Sequence, residues 1–129
     1  MINLTGPDGS RVAIDCTLVV RARRTVTGEN PAAKTRIDWP DMQLVTEPIE
    51  EVGPLVRAEL ATFTTVTARD GSKIWFNGKL AAGPIGLAPD LLDGVVRSAI
   101  RLMGYRQYVT ETPQEVRTIL RAAGGTVLP

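Results

Sequence analysis

The sequence predicts a β-rich α+β fold: two tandem copies of a five-stranded bent sheet or SH3-like partial barrel, each followed by a short helix, related by a pseudo-two-fold axis. Three observations lead there. The stretch DGSRVAIDCTL at residues 8–18 returns as DGSKIWFNGKL at residues 70–80, 62 positions later. QLVTEPIEEV at residues 43–52 returns as QYVTETPQEV at residues 107–116, an offset of 64. Between these anchors apolar residues alternate with polar ones, as half-buried strands require. Self-similarity at a nearly fixed period is the mark of a repeated structural unit. The expected boundaries are 1–61 and 62–129, the two repeats packed as one compact unit.

Each element follows from local chemistry. Ile2 and Leu4, then Val12 and Ile14, alternate on either side of Pro7-Asp8-Gly9-Ser10, a hairpin turn in which proline presets φ and glycine accepts a positive one. Val66, Ile74 and Phe76 do the same around Arg69-Asp70-Gly71-Ser72. CTLVVRARR at residues 16–24 reads as a third strand. Residues 35–39 and 42–47 read as a hairpin over Pro40-Asp41, and residues 98–103 and 106–111 as its counterpart, turning at Gly104-Tyr105. Trp39 is expected in the core.

Helices close both copies. Thr112-Pro113-Gln114-Glu115 has the order of a capping box, with threonine at the N-cap, proline at N1 and glutamate at N3. Val116, Ile119, Leu120 and Ala123 share one face, and Gly124-Gly125 ends it. The first copy offers Val52, Leu55, Val56 and Leu60, but Gly53-Pro54 interrupts them. Interior proline costs about 3 kcal/mol, so a break is expected there.

Composition narrows the function. The chain has 129 residues, 43% of them apolar, with 15 basic and 14 acidic side chains and a net charge of +1. A nucleic-acid binder relies on basic excess, so nucleic acid is not the expected partner. There is no histidine and a single cysteine, Cys16. That removes histidine-based acid–base work, Ser-His-Asp and Cys-His pairs, and the usual zinc sites. No phosphate-cradling glycine motif occurs. No catalytic residue, metal or cofactor is therefore expected, and the protein is read as not an enzyme. No apolar run approaches the ~20 residues of a bilayer span. The opening MINLTGPDGS lacks the pattern of a secretory leader, and one cysteine suits a reducing, cytoplasmic setting.

Several residues invite a sharper reading. Glu47 with Glu51, and Glu111 with Glu115, are carboxylate pairs that favour helix capping over acid–base or cation chemistry. Cys16 has no basic pair to activate it. Arg21, Arg23 and Arg24 are candidate anion or nucleic-acid contacts, set against a solvated edge strand guarded by charge. Trp75, between Ile74 and Phe76, points away from that core pair and is a candidate protein contact or a seal between the copies. Ile85 and Leu87 lie in the apolar stretch AAGPIGLAPDLLDG, residues 81–94, either a contact loop or a buried connector with room for a helical turn near residues 89–95. Another protein is the expected partner, and a homo-oligomer is compatible with the sequence.

The pattern MINLTGPDGSRVAID followed by LVTEPIEEV resembles the small flagellar proteins of the FlbD/SwrD type over residues 1–56, and more loosely over 63–120. Those proteins are usually one module long. Asp15 stands where their strand ends in asparagine, and Asn77 restores it. The resemblance implies a non-enzymatic accessory protein of the bacterial flagellum, without catalytic residues.

Overall fold

The computed structural model describes residues 1–129 and is β-rich, with eleven strands in three sheets and two helices. Strands β1 (Ile2–Thr5) and β2 (Arg11–Ile14) form a two-stranded hairpin. A 3-10 turn at Cys16–Leu18 leads to β3 (Arg21–Arg24), β4 (Thr35–Asp38), β5 (Met42–Val45) and helix α1 (Ile49–Glu59). The order then recurs: β6 (Phe63–Thr67), β7 (Lys73–Asn77), a 3-10 turn at Gly78–Leu80, β8 (Ala81–Ile85), β9 (Ser98–Leu102), β10 (Tyr105–Val109), α2 (Pro113–Ala123), and a short β11 (Thr126–Val127).

Small polar side chains fix these elements in matching ways. Asp8 accepts from the N–H and hydroxyl of Ser10, and Asp70 from those of Ser72, pinning both hairpin turns. Asp15 accepts from the Thr17 N–H, and Asn77 from the Lys79 N–H, opening both 3-10 turns. Glu47 accepts from the N–H and hydroxyl of Thr5, both at 2.9 Å, while Glu111 takes the N–H and hydroxyl of Thr67 at 2.9 and 2.8 Å. Thr35 and Ser98 donate their hydroxyls to the carbonyls of these same two glutamates. Each glutamate thus ties the first strand of its half to the segment entering the helix. Capping falls elsewhere: Glu115 completes a capping box with Thr112, and α1 starts at Pro48 with no side-chain cap.

The sheets depart from the expected arrangement. Neither half keeps a five-stranded sheet of its own, and no barrel closes. The single five-stranded sheet runs β5-β4-β3-β7-β6, three strands from the first half and two from the second. It is joined at Arg21↔Phe76 and Ala22↔Trp75. The remaining sheet runs β10-β9-β8-β11, with β11 parallel to β8. The third strand is shorter than expected because Asp15 captures the Thr17 N–H and turns residues 16–18 into 3-10 geometry. The β9–β10 turn falls at Met103-Gly104, both with positive φ, one residue earlier than the sequence suggested.

Helix α1 is continuous, against the break expected at Gly53-Pro54. Pro54 is exposed, so the carbonyl it leaves without a donor can be met by solvent. Leu55 also faces out, and the buried face is Ile49, Val52, Gly53 and Val56. Two apolar clusters result. One gathers Ile14, Ile37, Val52 and Val56 with Phe63 from β6, and half-buried Trp39 and Trp75 pack against it. The other gathers Phe76, Ile100, Leu102 and Leu120, with Val20 of the first half against it. The halves interlock through those exchanges. No helix is long and apolar enough to cross a membrane.

Candidate functional site

The arginines of β3 lie on a central strand, not on the guarded edge that the sequence allowed. Arg21 is buried, and its guanidinium pairs with Asp38 through Nε and Nη2, each 2.9 Å from Oδ2. Its Nη1 donates to Gln107 at 2.8 Å, and its Cζ stands 4.7 Å from the Tyr105 ring centroid. Arg23 forks onto Glu29 at 3.1 and 3.2 Å. Arg36 bridges Glu29 and Asp38. The result is a line of alternating charge along β3 and β4 that ends on Gln107 of the other half. Hydrogen bonds from Arg23 hold the Glu29 carboxyl at about 2, against partial desolvation, with help from the Val26 N–H and Arg36. Arg24 reaches across to Asp70 at 2.6 Å. Asp70 is held at about 2, first by Ser72 and then by Arg24.

Pairing between β3 and β7 stops at Ala22↔Trp75, and beyond it a groove of about 860 Å³ opens. Ile74 and Ala68 lie along it on one side, Val26 and Tyr108 are exposed at its margins, and Leu91 and Val96 come from the loop after β8. Arg69, paired with Asp93, also lines it. Arg24, Val26 and Asp70 also line a second hollow of about 590 Å³, which runs to Pro48 and Ile49. The exposed Arg24–Asp70 pair therefore bridges two stretches of one surface.

Trp75 is half-buried rather than presented to solvent. It stacks on Phe63 with ring centroids 5.7 Å apart and lies on Gly53 of α1. Ile85 and Leu87 are half-buried and do not line the groove. In the loop after β8 the exposed large apolar side chains are Leu91, Leu92 and Val95, around a 3-10 turn at Pro89–Leu91. The Leu91-Leu92 pair beside proline was the signal that could have marked them. Tyr108 and Gln107 carried none, because only the fold brings β10 to β3. Cys16 is buried, and desolvation pushes its thiol up, away from nucleophilic use.

Chemically the groove offers apolar contact framed by guanidinium–carboxylate pairs. Arg21, Arg23 and Arg24 are all neutralised within the chain, so β3 presents no free cationic stripe. Compared with known proteins, the chain matches no protein family, no curated protein and no solved structure.

Proposed function

We propose that this protein is a non-catalytic interaction module whose groove beside β3 takes an extended segment of another protein. The observation that carries this reading is the exposed apolar lining of Val26, Leu91 and Tyr108 beside the solvent-exposed Arg24–Asp70 pair. Apolar side chains of the partner would fill the lining. A carboxylate of the partner could exchange with Asp70 on Arg24, since an exposed pair is held by little free energy. The matching element order and matching side-chain hydrogen bonds support descent of the two halves from one duplicated module. The resemblance of residues 1–56 to FlbD/SwrD proteins supports an accessory role at the flagellum, and the buried, unpaired Cys16 suits a reducing cytoplasm.

A peptide-display selection on the intact chain tests the groove. Enriched peptides are retested on Val26→Asp and Leu91→Asp, and on Met103→Asp, which is exposed outside the groove. Groove binders lose at least about tenfold in affinity, or ~1.4 kcal/mol, on the first two and nothing on the third. Equal binding to all three, or no enrichment, rejects the site. Salt-sensitive oligonucleotide binding would favour nucleic acid instead. Unchanged swimming after deletion of the gene would remove the flagellar setting while leaving the groove untouched.

A further inference from the structure

We propose that β2 and β8 are the two complementary ends of a head-to-tail joint between copies of this chain, and that β11 is the cover that closes it. Within the chain that joint is already made once. The β6–β7 hairpin is added to the edge of β3 through Arg21↔Phe76 and Ala22↔Trp75, with Asn77 N–H donating to the Val20 carbonyl. The β1–β2 hairpin has the same length of turn and the same aspartate–serine bonds, yet β2 pairs only with β1. Its outer edge is unpaired. At the other end β8 takes the place of β3, with β9 on one side as β4 is beside β3. Its far edge carries only β11, two residues long, at Thr126↔Ala82 and Val127↔Gly83. Ala82 lies opposite Arg101, three residues beyond Ser98, as Arg21 lies opposite Asp38, three beyond Thr35, so Ala82 and Gly83 are the counterparts of Arg21 and Ala22, the residues that β7 engages on β3.

A free strand edge at one end and a lightly covered one at the other define a heterologous contact, the kind that propagates as a chain or closes as a ring. The occupant of β8 is therefore the β2 edge of a second copy, with Ala82 opposite Ile14 and Gly83, whose carbonyl now accepts from the Leu128 N–H at that edge, opposite Ala13. The strand turns irregular between Ala82 and Ile85, where Pro84 has no N–H to give, so the joint rests on Ala82 and Gly83, the residues β11 now holds. Alternation fixes which donors are free. Asn77 donates toward β3, so the Trp75 N–H and its counterpart at Ala13 point the same way, outward from the hairpin.

Val127→Asp with Leu128→Pro opens β8, since Leu128 N–H donates to Gly83 and Val127 packs against the second core. Sedimentation from micromolar to millimolar protein should move this variant from monomer mass to dimer and beyond. Adding Ala13→Pro should return it to monomer, and that triple variant should still form a one-to-one complex with wild-type chain, whose β2 is intact. An opened variant that stays monomeric, or assembles despite Ala13→Pro, overturns the proposal. If circular dichroism shows the opened variant unfolded, cross-linking on the intact fold decides. Single-cysteine chains Val12→Cys and Ile85→Cys, each with Cys16→Ser, should form a mixed disulfide dimer well above either alone, and an equal yield rejects the joint.

Discussion

The indole of Trp75 lies on the backbone of Gly53: a Cβ added there would stand 2.2 Å from Cε2 and 2.4 Å from Nε1. Glycine inside a helix ordinarily costs about 1 kcal/mol relative to alanine. Here the ring occupies the space, and its stacking on Phe63 leaves it little freedom to retreat.

Gly53→Ala should therefore destabilise the protein, by about 1–3 kcal/mol of overpacking that outweighs the helix-propensity gain. Trp75→Ala should cost about 2–4 kcal/mol, a little under a fully buried tryptophan. Because the two residues touch, the double variant should cost clearly less than the sum. Urea denaturation of the four proteins checks this, and strict additivity would contradict the contact.

The buried pair on β3 and β4 predicts an asymmetry. Asp38→Asn leaves the buried Arg21 guanidinium without its carboxylate and should cost about 3–5 kcal/mol. Arg21→Met should cost less, because Asp38 keeps Arg36 on Oδ1 at 2.9 Å. Thermal unfolding should rank wild type, then Arg21→Met, then Asp38→Asn; the reverse order of the two variants would refute the network as described.

Glu29 predicts behaviour in acid. Its carboxyl is depressed from 4.5 to about 2 by Arg23, with Val26 N–H and Arg36 assisting. A depressed acid stabilises the fold above its unfolded value, and that contribution drains away as pH falls through the folded value. Stability should thus decline between about pH 4.5 and 2. Glu29→Gln should cost about 1–2 kcal/mol at neutral pH and flatten that decline. A denaturant midpoint measured against pH gives the answer, and an unchanged slope would count against the Arg23–Glu29 fork.

Glu47 and Glu111 predict equal roles in the two halves. Burial raises the Glu47 carboxyl, but bonds from the Thr5 N–H, its own N–H, and the Thr5 and Thr46 hydroxyls outweigh it and hold it low. Removing the hydroxyl with Thr5→Val or Thr67→Val should each cost about 1–3 kcal/mol by leaving a part-buried carboxylate oxygen short of a donor. Similar losses are expected from both, measured side by side by chemical denaturation. A loss confined to one half would break the equivalence.

Much of the local structure was legible because it rests on neighbours in sequence. Asp8-Gly9-Ser10 and Asp70-Gly71-Ser72 make their turns with their own side chains, and Thr112 to Glu115 cap the helix within four residues. What escaped depends on distant partners. Pro54 gave a reason to break α1, but its exposed position let the helix continue. The arginine run looked like a free stripe, yet Asp38, Glu29 and Asp70 that neutralise it are 17, 6 and 46 residues away from their partners. Trp75 was visible as an unusual residue, whereas the glycine that receives it was not. The groove was hidden for the same reason: Val26, Leu91 and Tyr108 meet only once β10 and the loop after β8 are folded against β3.

The seam between the halves, Arg21↔Phe76 and Ala22↔Trp75, runs through the middle strands of a sheet and not through a linker. Cutting the polypeptide near residue 61 would strip β3 of its neighbour and take Phe63 and Trp75 out of the first core. The two halves should consequently melt in one concerted transition, with no temperature at which either survives the loss of the other.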